Sequence, residues 1–333
     1  MRLIVPMAGR GTRLRPHTHV TPKPLLPVVG RTMVERIVET FAEAIGDFEE
    51  AVFILGPDFG DEVRQQLTAI CDRFGIAASF GVQETAKGTA HAIAQAGDKL
   101  AGECVLVFAD TLFTMDKAPD LDADAVIWVM EVEDPSRFGV VVKDGERITD
   151  FVEKPDTPIS NEAIVGIYYV QEGERLSREI AYLMDNGITG KGDEYQLTDA
   201  LDRMLKDGAT FKTARVTEWL DCGTIPAIKD TTKVVLAKEG ENGKAGTLEN
   251  SQVIEPVFIG EGAVIRDSVV GPYVAVHGGA TIVESAVRNT IVFGDATIDS
   301  SALDDSLVGH HADVRGFAGM LNIGDHATVG PEE

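Results

Sequence analysis

A six-residue period begins near residue 259 and restricts the last quarter of the chain to one architecture. Ile259-Gly260-Glu261-Gly262-Ala263-Val264 is followed by hexads at 265–270, 271–276, 277–282 and 283–288. Small or β-branched residues recur at the fifth place, as Ala263, Val269, Ala275, Thr281 and Val287. A helix cannot keep a period of six, whereas a parallel β-helix with three short faces per coil requires it. At about 18 residues per coil, residues 248–330 would hold between four and five coils. The register blurs after Asn289 and returns in IGDHATVG, Ile323 to Gly330.

The first two-thirds has a different texture, with short apolar runs alternating with amphipathic stretches. Strands are expected at 2–6, 51–55, 78–82 and 104–109, and helices at 33–45, 58–74 and 88–100. This alternation argues for a mainly parallel sheet covered on both faces, with any ligand beyond the carboxyl ends of its strands. Segments 125–131, 139–142, 148–153 and 163–170 read as a β-rich lobe of the same sheet system. Helices at 174–186, 195–206 and 225–237 and a strand at 211–216 complete it. KEGENGKAG, Lys238 to Gly246, has no apolar period. The expected division is therefore a domain at 1–238, a linker at 239–247 and a β-helix at 248–330.

Charge points to the ligand. Residues 1–36 hold seven Lys/Arg and one Glu, in a chain whose net charge is −24. A positive island in an acidic protein suits a local phosphate, held by backbone N–H groups, Arg forks and a Lys. Nucleic acid is excluded as a partner because so negative a chain repels a long polyanion. The start, MRLIVPMAG, is too short an apolar run for a signal sequence, and no stretch approaches a membrane span, so a cytoplasmic protein is expected. Cys71, Cys104 and Cys222 are odd in number and form no metal-ligand spacing, which points to reduced thiols. With only 13 Lys against 54 acids, the surface suits either a salt-rich cytoplasm or an ordinary acidic protein. The unfolding midpoint, read from low to molar KCl, separates the two.

The island lies in PMAGRGTRLRPHTHVTPKPLLP, a tight Gly/Ala turn behind an apolar strand, carrying Arg10, Arg13, Arg15 and Lys23. Gly9-Arg10-Gly11-Thr12-Arg13-Leu14 is not a dinucleotide fingerprint, since Leu14 takes the place of the third glycine, and no Walker loop is present.

Seven motifs in order, MAGRGTRLRP, TPKPLLPV, QETAKGTAHAI, LVFAD, FGVV, FVEKP and EWLDCGT, resemble the sugar-1-phosphate nucleotidylyltransferases, most of all bacterial glucose-1-phosphate thymidylyltransferases. The resemblance covers residues 1–238. It implies a Rossmann-like mixed sheet of the glycosyltransferase-A type, and the hexad tail fits the left-handed parallel β-helix that many members carry.

The reaction it implies joins a hexose-1-phosphate to dTTP or UTP at the α-phosphorus, with Mg²⁺, releasing pyrophosphate. Arg13 would hold the triphosphate and Lys23 would meet its α-phosphate, with Ala8, Gly9, Gly11 and Thr12 forming the turn. Gln83 and Gly88 would face the base. Gly139, Glu153, Lys154 and Trp219 would bind the sugar phosphate, and Asp110 and Asp221 would hold the metal. Met7-Ala8-Gly9 replaces the usual Ala-Gly-Gly, Ala109 a usual Gly, Thr111 a common Asn, and Pro24 a frequent Gln.

Two alternatives accompany this reading. One is a mannose-1-phosphate guanylyltransferase. The other is a bifunctional enzyme with an acetyltransferase on the β-helix, for which His277, His310, His311 and His326 are the candidate bases, although their neighbours read as solvated turns. The flat faces of a β-helix also suggest a homo-oligomer through or near it.

Overall fold

The computed structural model describes residues 1–9, 11–115, 119–157, 159–190, 192–239 and 245–331. Arg10, one cation of the island, and positions 240–244 of the expected linker lie outside the described residues. The chain forms two compact units that interleave in sequence, one of Met1–Gly9 and Ile37–Trp219, the other of Arg10–Arg36 and Leu220–Glu333.

The elements up to the β-helix are β1 (Arg2–Pro6), α1 (Met33–Ala44), β2 (Glu50–Leu55), α2 (Asp61–Asp72), β3 (Ala77–Val82), α3 (Thr89–Ala94), β4 (Cys104–Val107), β5 (Thr111–Thr114) and β6 (Ala125–Glu131). They continue with β7 (Gly139–Asp144), β8 (Arg147–Glu153), β9 (Glu162–Val170), α4 (Gly173–Asp185), α5 (Leu197–Lys206), β10 (Phe211–Arg215), β11 (Glu218–Asp221) and α6 (Ile225–Glu239).

In the first unit, strands pair in the order β3-β2-β1-β4-β9-β6-β10-β8-β7. The four strands at the β3 end are parallel, with Leu3 opposite both Ala51 and Val105. β9 then runs antiparallel between β4 and β6, so the sheet is mixed. Leu3, Ile4 and Val5 are fully buried, as are Cys104, Val105 and Leu106. Such unbroken apolar runs mark strands covered on both faces. The register of β9 slips between Ile164 and Tyr168, where Gly166 has φ 95°, a bulge that suits glycine.

The second unit contains a left-handed parallel β-helix of three sheets with six, five and five strands. Val257, Ile265, Val276, Ile282, Ile298 and Val314 fill its interior. Most corners are turned by a residue with positive φ, often Asn or Asp, as at Asn250, Asp267, Asn289, Asp295 and Asp305, the residue types that tolerate this conformation best. The corner backbone is satisfied by a ladder of hydroxyls. Ser268, Ser285 and Ser301 each donate a backbone N–H to the Ser Oγ one coil earlier, at 3.0 Å.

The structure revises several expectations. Five coils and a further strand are present, and successive coils step by 17, 16 and finally 15 residues rather than by three full hexads. This shortening explains why the period blurs after Asn289 although the coils continue. The helix expected at 88–100 is two pieces, α3 and a 3-10 turn at Gly97–Leu100. β4 ends at Val107, so Asp110 lies in the turn before β5 rather than at the strand end.

Candidate active site

In the first unit the expected residues gather at three places. After β1, Met7 donates its N–H to Ile54 O at 2.9 Å, which holds the start of the turn, while Gly9 is exposed with open space where a Cβ would be. At the end of β3, the backbone N–H of Gln83 donates to Leu55 O at 2.8 Å. Gly88 has φ 109°, and a Cβ there would lie 2.5 Å from the Tyr195 carbonyl oxygen. Glycine is therefore required by the chain's own backbone at 195, a cause separate from the approach of a base.

The third place is the β7–β8 hairpin. Gly139 pairs with Glu153, and a Cβ on Gly139 would lie 2.9 Å from Glu153 Oε2. Lys154 has φ 48°, a strained value for a non-glycine residue, and donates its N–H to Phe138 O at 3.0 Å. Its Nζ lies 3.5 Å from Glu153 Oε1, and both side chains are exposed enough, 44% and 40%, to meet a ligand. The Trp219 ring is 5.0 Å from that of Phe138, and its Nε1 is buried without a hydrogen-bond partner. A buried N–H left unpaired is uncommon and suits a ligand oxygen.

Electrostatics links the hairpin to Asp110. Burial, then the charges of Glu153 and Asp110, push the Tyr168 phenol upward. Burial, then Asp202 and Glu153, raise the Asp199 carboxyl. Neither Tyr168 nor Asp199 stands out in the sequence, since one lies in an apolar strand and the other in a helix that reads as ordinary amphipathic surface.

In the second unit Arg13 comes beside Asp221, and Lys23 packs against the Gly11 turn. Gly11 has φ 57°, and its Cβ would touch the Lys23 Cβ at 3.0 Å. Thr12–Leu14 forms a 3-10 turn that buries Leu14 and leaves Thr12 and Arg13 exposed. Lys23 opens a second 3-10 turn and is only 8% exposed, so it is not a solvated surface cation. A Cβ on Gly223 would lie 2.8 Å from Asp221 Oδ1 and 3.4 Å from Arg13 Nη2, so acid and guanidinium flank the same glycine. Gly223 donates its N–H to Asp221 Oδ1 at 2.6 Å, a turn bond that leaves the side chain exposed.

Among the described residues no group of three or more His, Cys, Asp or Glu is arranged to hold a metal by itself. Half-buried Asp110 in the first unit and exposed Asp221 in the second are each a hard oxygen donor of the kind Mg²⁺ accepts, the rest of its shell being water and phosphate oxygen. The donor chemistry fits that ion.

The segment 11–36 is packed on one face of the β-helix. His17, fully buried, donates Nε2–H to Asn322 Oδ1 at 2.6 Å, and its ring meets Phe293 edge-on at 5.7 Å. A Cβ on Gly30, φ 79°, would run into the Phe258 ring. Arg36 donates to Val28 O and Val29 O and is bidentate to Glu239 at 2.9 and 3.0 Å. Against expectation, His277 is not a solvated turn residue. It lies 5.7 Å from both Phe258 and Phe293, and burial, then His310 and Arg36, push its pKa down to about 3. His310 is lowered as well, chiefly by burial. An imidazole of so low a basicity as His277 is a poor general base for acetyl transfer.

The family profile described as nucleotidyl transferase matches residues 3–238. The low-salt glycan biosynthesis nucleotidyltransferase Agl11 of Haloferax volcanii is 30% identical over 99% of this chain and 98% of its own length. A glucose-1-phosphate thymidylyltransferase of Streptomyces griseus is 25% identical over 98% of each chain. A crystal structure of a putative glucose-1-phosphate thymidylyltransferase from Bacillus anthracis, in complex with sucrose, is 27% identical with a TM-score of 0.61, covering 73% of this chain and 98% of that one.

Proposed function

The chain belongs to the nucleotidyl transferase family, and from that premise we propose that it joins a hexose-1-phosphate, glucose-1-phosphate first among them, to dTTP or UTP. The observation that carries this reading is the hairpin cluster, where Gly139, Glu153, strained Lys154 and the unpaired Nε1 of Trp219 provide a cation, a carboxylate and an N–H for one phosphorylated sugar. Lys154 pairs with the sugar phosphate and Glu153 accepts sugar hydroxyls. A sugar-phosphate oxygen then attacks the α-phosphorus in line. The bond from the α-phosphorus to the bridging oxygen breaks, and its electron pair leaves with pyrophosphate. Because both reactants are anions, positioning and charge neutralisation account for most of the rate. Arg13 holds the triphosphate and stabilises the departing pyrophosphate, Lys23 meets the α-phosphate, and Ala8, Gly9, Gly11 and Thr12 shape the turn. Asp110 and Asp221 would hold Mg²⁺ together with the nucleotide, and the ion would supply further positive charge to the phosphates.

The same reading takes 1–238 as the catalytic domain, 239–247 as the linker and 248–330 as the β-helix, in a cytoplasmic homo-oligomer. Among the described residues no helix is long and apolar enough to cross a membrane. Val269, Ala286, Ala302 and Ala318 form an exposed, uncharged row along one β-helix face, which supports self-association. Light scattering at micromolar concentration is expected to give a multiple of the chain mass, and a monomer contradicts it.

The activity is tested by pyrophosphate release from four nucleoside triphosphates against glucose-, mannose-, galactose- and N-acetylglucosamine-1-phosphate. Turnover with glucose-1-phosphate and dTTP or UTP is expected. A chain that works only with GTP and mannose-1-phosphate, or with none of the pairs, contradicts the reading.

A further inference from the structure

We propose that His91 is a positioning residue that makes the nucleotide site selective for a base with an imide N–H. It does so by taking one hydrogen of the Gln83 amide, so that Gln83 presents only its oxygen. The proposal rests on the reading that Gln83 faces the nucleotide base.

The geometry decides the amide orientation. One terminal atom of Gln83 lies 3.3 Å from Gly88 O and 2.9 Å from His91 Nδ1. A backbone carbonyl only accepts, so that atom must be the amide nitrogen. Both its hydrogens are then engaged, one by Gly88 and one by His91. His91 must accept at Nδ1 and carry its own proton on Nε2. Burial, with Lys87 adding to it, lowers the His91 imidazole below its ordinary value, which favours the neutral ring that can accept. Gln83 is 6% exposed, so its amide cannot turn to water for other partners.

What remains of Gln83 is an acceptor without a donor beside it. Uracil and thymine offer N3–H to such an oxygen. The ribose and triphosphate keep the same register for CTP, which would set its N3 lone pair against Gln83 Oε1 and be repelled. Sites that read one hydrogen bond in this way discriminate strongly, because the mismatched group is left buried and unpaired. Without His91 the amide gains a spare N–H and can turn to meet cytosine.

The test is pyrophosphate release by the full chain with glucose-1-phosphate and either UTP or CTP. Wild type is expected to favour UTP in kcat/KM by about a hundredfold or more. In His91→Ala that ratio falls by about tenfold or more, whereas His91→Asn, whose side-chain oxygen can accept in place of Nδ1, keeps it within about threefold. A loss shared equally by UTP and CTP in His91→Ala, or a wild type that favours CTP, overturns the proposal. Imidazole ¹⁵N spectra of the wild-type protein give a readout apart from turnover, with unprotonated Nδ1 expected near neutral pH and a protonated Nδ1 contradicting the assignment. Should no nucleotide be turned over, the proposed function fails separately. Calorimetric binding of UTP and CTP to the same three proteins then reads the same ratio.

Discussion

The β7–β8 hairpin, with Gly139, Glu153 and Lys154, and the segment 11–36, with Arg13 and Lys23, are held in place by different kinds of contact. The hairpin positions its groups by register, Gly139 opposite Glu153 and Val140 opposite Val152. The segment has little regular structure, and its supports come from far along the chain, Asn322 beneath His17, Phe258 beneath Gly30 and Glu239 against Arg36. The β-helix shows what this support requires. On one of its faces the outward residues Ala275, Ile291 and Leu307 are buried, whereas on another the row from Val269 to Ala318 is exposed. A group held by strand pairing depends on its neighbours in sequence, and a group held by a platform depends on the platform.

The largest separation between the two regions is expected in kinetics. Arg13→Ala should lower kcat by about 10²- to 10³-fold with little change in KM for the sugar phosphate, the loss found when a donor to developing charge is removed. Lys154→Ala should instead raise that KM by about tenfold or more. Equal effects of both variants on both parameters would erase the distinction.

Stability should separate them next. Gly30→Val meets the Phe258 ring in a conformation that side chains rarely adopt, and should destabilise by about 2 to 4 kcal/mol in urea unfolding. Gly139→Ala meets only the end of the Glu153 side chain and should cost less than about 1 kcal/mol while weakening sugar-phosphate binding.

Acid should act on the platform. His277 is neutral in both states above the unfolded value of 6.5, so its contribution is intact there. Between 6.5 and about 3 the unfolded chain binds a proton that the folded chain does not, and stability falls as pH falls. The slope from this one group is about 1.4 kcal/mol per pH unit, and His277→Gln should reduce the slope by that amount in pH-dependent unfolding.

A smaller effect than that of Gly30→Val is expected at Glu239. Burial raises its carboxyl but Arg36 and Arg31 more than offset that, leaving its folded pKa below the ordinary 4.5. Its stabilisation is present above the unfolded value and is lost as pH falls through the folded one. At neutral pH Glu239→Gln should destabilise by about 1 to 2 kcal/mol, less than for a fully buried pair because Glu239 is 36% exposed. The difference from wild type should shrink in acid.

Much of this arrangement is legible in the sequence. Strands such as Ala125–Glu131 are declared by their apolar runs, and the coils by their hexads, because burial imposes a short period on both. Arg13, Lys23, Asp110 and Asp221 stand out by charge and motif. The support of the segment is not legible, since the bond from His17 to Asn322 spans 305 positions and no local pattern encodes it. The hydroxyl ladder is hidden for a similar reason, as each Ser has its partner one coil away. His91 reads as an ordinary residue of a short helix, and only its distance to Gln83 gives it a role.

The claim that the β-helix is the platform for the cationic segment is tested most directly by amide hydrogen exchange on the full chain, wild type against Asn322→Ala, with pyrophosphate release read on the same samples. Faster exchange across residues 11–26, unchanged exchange across the β7–β8 hairpin, and a parallel fall in kcat are the expected result. Unchanged exchange across 11–26 with full turnover would contradict it.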